Sequence, residues 1–265
     1  MSFWETLPET LFWIAFVAVI IFIMFIFELK WRVNGGFHRN DCRQIKTQLN
    51  GKTVIITGGN TGIGKETAID LARRGARVII GCRNAKKAEE GVKEIQRRSG
   101  SSNVVYRHLE LSDQESVRKF ADVVLKEEPN IYCLVNNAGI GKAAKGHRTK
   151  EGYNMVFAVN HFGPFLLTML LLDRLKASSP SRIINVTSVA HTWIKTGEIL
   201  VGSNEEAGAQ TTVYCAIEES IKNLSGRYFD NCQLARETKL ARDPALAKKL
   251  WEVSCQATGL DDSFS

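Results

Sequence analysis

Thr57-Gly58-Gly59-Asn60-Thr61-Gly62-Ile63-Gly64 is the stretch that decides the fold. It follows the apolar run Val54-Ile55-Ile56 and opens a helix-like segment. Side chains at Gly58, Gly62 or Gly64 would block close approach of a pyrophosphate or the packing of helix on strand. The N–H groups and dipole of the following helix then favour phosphate charge. An ordinary strand-to-helix turn contains similar glycines. What raises this one is its position, after a strand and before a helix, as the mechanism requires.

Outward from the turn, strands alternate with helices. Strands are expected at residues 53–57, 78–82, 104–111, 131–136 and 182–188. Helices are expected at 64–75, 85–98, 113–128 (with Ser112 as N-cap) and 151–175. The last is very apolar from 162 to 172. Asn160, His161 and Asp173 bound that stretch closely, which favours a helix buried on a sheet over a membrane segment. The pattern predicts an α/β chain with a doubly wound, Rossmann-like parallel sheet, both faces covered, and a ligand beyond the carboxyl ends of the strands.

Further motifs lie at those ends. Asn136-Asn137-Ala138-Gly139 follows the fourth strand, and its small residues suit close backbone approach or a plain turn. The second strand ends Ile80-Gly81-Cys82-Arg83-Asn84, without the acid that would hold the ribose 2′-hydroxyl of NAD. Arg83 there, and Lys65 in the helix, suit the 2′-phosphate of NADP, although surface cations would read the same way. Val159-Asn160-His161-Phe162-Gly163 and Asn185-Val186-Thr187-Ser188 complete the set. Asn160 also suits a buried asparagine satisfied by backbone, and Ser188 a serine capping the end of a strand. His191 is near Ser188, but no GxSxG elbow surrounds the serine, so a hydrolase nucleophile is not expected.

Together these motifs resemble the short-chain dehydrogenase/reductases. The resemblance extends over most of residues 51–265. Gly59-Asn60-Thr61-Gly62-Ile63-Gly64-Lys65-Glu66-Thr67-Ala68, the Asn160 segment, Glu206-Ala207-Gly208-Ala209-Gln210-Thr211 and Leu250-Trp251-Glu252-Val253-Ser254 are similar to the microsomal retinol dehydrogenase branch. The resemblance implies hydride transfer between NADP(H) and a lipophilic alcohol or aldehyde such as a retinoid. It implies a cofactor held by Gly58, Asn60, Thr61, Gly62, Ile63, Gly64, Arg83, Leu111, Asn137, Ala138 and Gly139. It gives Ser188 the polarisation of the reacting carbonyl and Asn160 the holding of a water. Glu110 departs from the family's usual aspartate near the adenine.

The larger departure is an absence. The family places a tyrosine and, four residues on, a lysine on one helix face after the serine; the ammonium lowers the phenol pKa from about 10. None of the five tyrosines here has lysine at +4; Tyr214 is followed by Glu218 and Tyr228 by Cys232. Only the 16 residues 189–204 separate Ser188 from the tail helix, whereas a strand–helix–strand unit takes about 30 or more. An internal deletion near 199–201 is therefore expected, with the sheet truncated after its fifth strand and the open edge an aggregation hazard. A skipped exon or a faulty gene model explains it more simply than gradual loss. Two readings follow: an enzyme using another proton donor, such as water or His191, or a non-catalytic cofactor- or partner-binding product. The missing pair favours the second. The family's dimer contact uses the missing helix, which argues against a homodimer.

The N-terminus carries a different signal. Residues 11–27 are uninterrupted apolar sequence, 17 in all, at the short end for a spanning helix. Glu5 and Glu9 precede the run and bulky Met24-Phe25-Ile26-Phe27 closes it, which argues against a cleaved signal peptide. Lys30, Arg32, Arg39, Arg43 and Lys46 follow, so the globular part is expected on the cytosolic side, and the branch implies the endoplasmic reticulum membrane. The expected organisation is an anchor at 1–28, an irregular polar tether at 29–50 and an NADP-binding domain at 51–265. Six scattered cysteines without a CxxC pair read as reduced thiols and offer no metal-ligand spacing. The sequons at Asn185 and Asn223 read as chance; a glycan on either would reverse the orientation. The formal charge of +7 reflects a solvated surface or affinity for an anionic membrane. No basic run interleaved with aromatics points to nucleic acid.

Overall fold

A computed structural model describes residues 19–25, 42–141, 144, 146–188 and 205–261. Strands β1 (Thr53–Thr57), β2 (Arg77–Cys82), β3 (Val104–His108), β4 (Cys133–Asn136) and β5 (Arg182–Asn185) form a parallel sheet in the order β3-β2-β1-β4-β5. β1 lies at the centre, so all five of its residues are buried. Its side chains alternate between two cores. Val54 and Ile56 meet helices α1 (Gly62–Arg73), α2 (Ala85–Ser99) and α5 (Glu205–Ile217). Ile55 meets α3 (Gln114–Glu127) and α4 (Gly163–Ala177) on the other face. This is the doubly wound α/β arrangement that the sequence predicts. The chain leaves β1 toward β3 and returns across it to β4, so the turns after β1 and β4 face each other at the switch point.

Element ends differ from expectation for local reasons. β3 stops at His108; Leu109 N still donates to Cys82 O at 3.0 Å, and Leu109 and Leu111 are buried in the core. Asp113, not Ser112, caps α3, its carboxylate accepting from Glu115 N at 3.0 Å; the Ser112 hydroxyl donates to Glu110. The long apolar helix begins at Met155, not Glu151. It passes through a π-helical stretch, Ala158–Phe162, before α4. The run Met155–Ala177 is long and apolar enough to cross a membrane by length and composition. Leu166, Leu167 and Leu171 are nevertheless fully buried in the core shared with α3.

Residues 42–50, expected to be irregular and polar, are docked on the domain. Cys42–Gln44 is a 3-10 turn, and Cys42 and Leu49 are buried. The Cys42 thiol donates to Gln210 Oε1 of α5 at 2.9 Å. Arg74, at the end of α1, donates to Cys42 O at 3.1 Å, to Thr47 O at 3.3 Å and to Ile45 O, while Asp70 balances its charge at 2.6 Å. Residues 19–25 are helical, apolar and exposed.

After α5 comes a hairpin of β6 (Tyr228–Asp230) and β7 (Gln233–Ala235). The sequence expects one tail strand near 227–229; two pair instead, because Asn231 and Cys232 both take positive φ, as a two-residue hairpin turn needs. The chain closes with α6 (Pro244–Thr258), capped by Asp243. Among the described residues nothing pairs with the outer edge of β5, whose Ile183 is 40% exposed. Expected to end at Ser188, β5 stops at Asn185, the last residue with a ladder partner.

Candidate functional site

The glycine turn is built so that backbone, not side chain, faces the switch point. Gly58 and Gly62 take φ of +68° and +58°, which side chains rarely adopt. A Cβ on Gly58 would come within 3.0 Å of Ala138 Cα. On Gly64 it would strike Asn137 Nδ2 and stand 2.7 Å from Gly58 O. Asn60 sits against Gly91 of α2, where a Cβ would lie 3.0 Å from Asn60 Cα. Thr61 is the N-cap of α1 but makes no side-chain cap bond, so the first-turn N–H groups of Gly62, Ile63 and Gly64 are not taken up by a capping side chain. A cradle that a Cβ would fill, opening on a helix N-terminus, fits the diphosphate of a dinucleotide.

Thr57 locks the two turns together, a role the sequence reading missed. Its buried Oγ1 accepts from Asn137 N at 3.0 Å and Ala138 N at 2.9 Å. Asn137 Nδ2 donates back to Thr57 O at 2.9 Å. A threonine ending a buried strand just before the glycines is the signal that could have found it. Beneath the turn lies Cys82, its thiol pushed up to about 11 by burial, which outweighs hydrogen bonds from the N–H groups of Asn60, Gly59 and Gly58. It is a neutral packing group.

Arg83 projects from the end of β2, mostly exposed, with its nearest carboxylate, Glu110, at 3.9 Å. That loose pair leaves the guanidinium free to turn to a phosphate. Lys65 is 4.0 Å from Glu94. Leu111 is buried, and Gly163 packs so closely on it that a Cβ would stand 2.9 Å from Leu111 Cβ.

Asn160 lies in the π-helical stretch and closes on the loop after β4. Its Oδ1 accepts from Ile140 N at 2.8 Å and its Nδ2 donates to Ile140 O at 3.0 Å. Both amide ends therefore hold Ile140, as the backbone-satisfied alternative expects, but Asn160 is exposed where that alternative expects it buried. A π-helical stretch at such a position also disturbs the normal carbonyl ladder. His161 donates from Nε2 to Ser254 Oγ at 2.8 Å, because the serine's own hydrogen goes to Leu250 O at 2.6 Å. Burial lowers its pKa.

Ser188 is exposed beyond the end of β5. It lines a cavity of about 610 Å³ together with Ile63 of the glycine turn, Ile183 and Ile184 of β5, and Thr211 and Cys215 of α5. Of the glycine turn, only Ile63 reaches this space. Tyr106, Tyr132, Tyr214 and Tyr228 all have their pKa raised, by burial first, the opposite of what a neighbouring ammonium does. His191 lies outside the described residues.

The family model for short chain dehydrogenase matches residues 52–197. The chain belongs to the short-chain dehydrogenase family. Human retinol dehydrogenase 11 is 36% identical over 279 positions, covering 80% of this chain and 87% of the relative. Bovine retinol dehydrogenase 12 is 35% identical over 305 positions, covering 90% and 96%. These relatives put this short-chain dehydrogenase in the retinol dehydrogenase branch. Both alignments are longer than the chain's own 265 residues, so both carry positions where only the relative has a residue. Among solved structures, an uncharacterised protein from Mycobacterium paratuberculosis superposes with a TM-score of 0.62 at 25% identity, covering 81% of this chain and 96% of that one.

Proposed function

We propose that this short-chain dehydrogenase is a membrane-anchored scaffold that binds NADP(H) and lacks the proton relay of its retinol dehydrogenase-like relatives. One observation carries the reading: a glycine cradle closed on Asn137 and Ala138, in a chain where no tyrosine is followed by lysine at +4. In it the Gly58–Gly64 turn and the α1 N–H groups hold the diphosphate, Arg83 the 2′-phosphate, and Leu111 borders the adenine. Asn137, Ala138 and Gly139 flank the adenosine side. The nucleotide supplies the hydride when bound. In this reading Ser188 donates a hydrogen bond to a carbonyl oxygen in the cavity it lines, and Asn160 holds the backbone of Ile140. Among the described residues no tyrosine–lysine pair stands beside that oxygen, and the loss of such a general acid is worth about 10²–10⁴ in rate.

The lipophilic alcohol or aldehyde, retinoid-like, follows from the branch, and an anchor at 1–28 would bring the domain to where such molecules partition. The endoplasmic reticulum membrane, cytosolic side, suits the branch and the cations after residue 27. An internal deletion near 199–201 accounts for the alignment positions that only the relatives fill. Purified full-length chain with NADPH and retinaldehyde tests the reading. Expected is cofactor binding without aldehyde-dependent NADPH oxidation. Steady turnover at any pH would contradict it and favour water or His191 as donor.

A further inference from the structure

The end of β2 carries no acid of its own, but the neighbouring strand brings one to it. β2 and β3 run in register from Val78 opposite Val104 to Cys82 opposite His108, and Leu109 N donates to Cys82 O at 3.0 Å. That pairing sets Glu110 beside Arg83, with Glu110 Oε2 at 3.9 Å from Arg83 Nη1.

Of the two, the acid is the one held in place. Glu110 Oε1 accepts from Ser112 N at 3.1 Å and from Ser112 Oγ at 2.8 Å. Its backbone is fixed as well, since Glu110 N donates to Ser116 Oγ at 2.9 Å and Glu110 O accepts from Asp113 N at 3.1 Å. Among the described residues Oε2 accepts no hydrogen bond and faces the guanidinium. The Glu110 side chain is 25% exposed and that of Arg83 67%. Asn84, next in the chain, is committed to capping α2, its side chain accepting from Lys87 N at 2.9 Å. The corner therefore presents one fixed carboxylate and one loosely held cation.

Such a carboxylate acts in opposite senses on the two nicotinamide nucleotides. A 2′-phosphate drawn to Arg83 meets the repulsion of Glu110, which also offsets part of the guanidinium charge. A ribose 2′-hydroxyl is neutral and donates readily to a carboxylate oxygen. An exposed pair at this separation does little to orient Arg83, so the repulsion sets the sign. We propose that Glu110 is a specificity-determining residue that lowers the preference of the site for NADP(H) and lets it accept NAD(H) as well. The inference rests on the nucleotide binding proposed above.

The test is Glu110→Gln, which keeps an oxygen for both Ser112 bonds and removes only the charge. Parent and variant full-length chains are titrated with NADPH and NADH at low and high salt, with thermal melts run alongside. At low salt the variant should bind NADPH about three- to tenfold more tightly, leave NADH unchanged or slightly weakened, and lose most of the difference at high salt. Arg83→Gln with Glu110→Gln should likewise bind NADPH more tightly than Arg83→Gln alone. An unchanged ratio of the two affinities, or weaker NADPH binding by the variant, would overturn the proposal while leaving the nucleotide site intact. Binding of neither nucleotide to either chain would end the cofactor reading and this inference with it.

Discussion

Gly64 is where one methyl group should matter most. Alanine there meets Asn137 Nδ2 and the Gly58 carbonyl, neither of which can withdraw without opening the turn. Gly64→Ala should lower stability by about 1–3 kcal/mol and NADPH affinity by tenfold or more, measured by thermal melts and calorimetric titration. Arg83→Gln should weaken NADPH by about tenfold and leave NADH unchanged, since only the former has a phosphate for the guanidinium. His161 offers a pH test. Its folded pKa lies below the ordinary 6.5, so the unfolded chain binds more protons on acidification. Its contribution is complete above pH 6.5 and is lost as pH falls below it. Melting temperatures of His161→Asn should therefore fall less between pH 7 and 5 than those of the parent chain.

At the scale of elements, the buried strands were legible because unbroken Val/Ile runs have few other readings, as β1 and β2 show. Boundaries were not. The π-helical stretch at 158–162 leaves no mark on an apolar pattern, and Thr57's grip on Asn137 depends on a contact 80 residues away. The docking of residues 42–50 was hidden for the same reason, since Arg74 reads as a surface cation until its backbone partners are seen. Arg74→Met should strand Asp70 and release this segment, costing about 3–5 kcal/mol. Limited proteolysis should then cut within 42–50. On the open edge, Ile183→Lys should suppress self-association in sedimentation runs without altering NADPH affinity.

For the molecule as a whole, the relationship between the two halves of the site matters more than any single contact. The cradle is held together by hydrogen bonds from Asn137 N and Ala138 N to Thr57, whereas the side that should carry proton transfer is an exposed strand edge beside a cavity of about 610 Å³. The sequence showed that asymmetry through spacing alone, because 16 residues after Ser188 cannot hold another strand–helix–strand unit. It could not show that α5 and the β6–β7 hairpin line the resulting space. The most direct measurement is a titration of the purified chain with NADPH, NADH and their oxidised forms. Saturable one-to-one binding, tighter for the phosphorylated pair, is the predicted result. Failure of all four nucleotides to bind would contradict the account at its root.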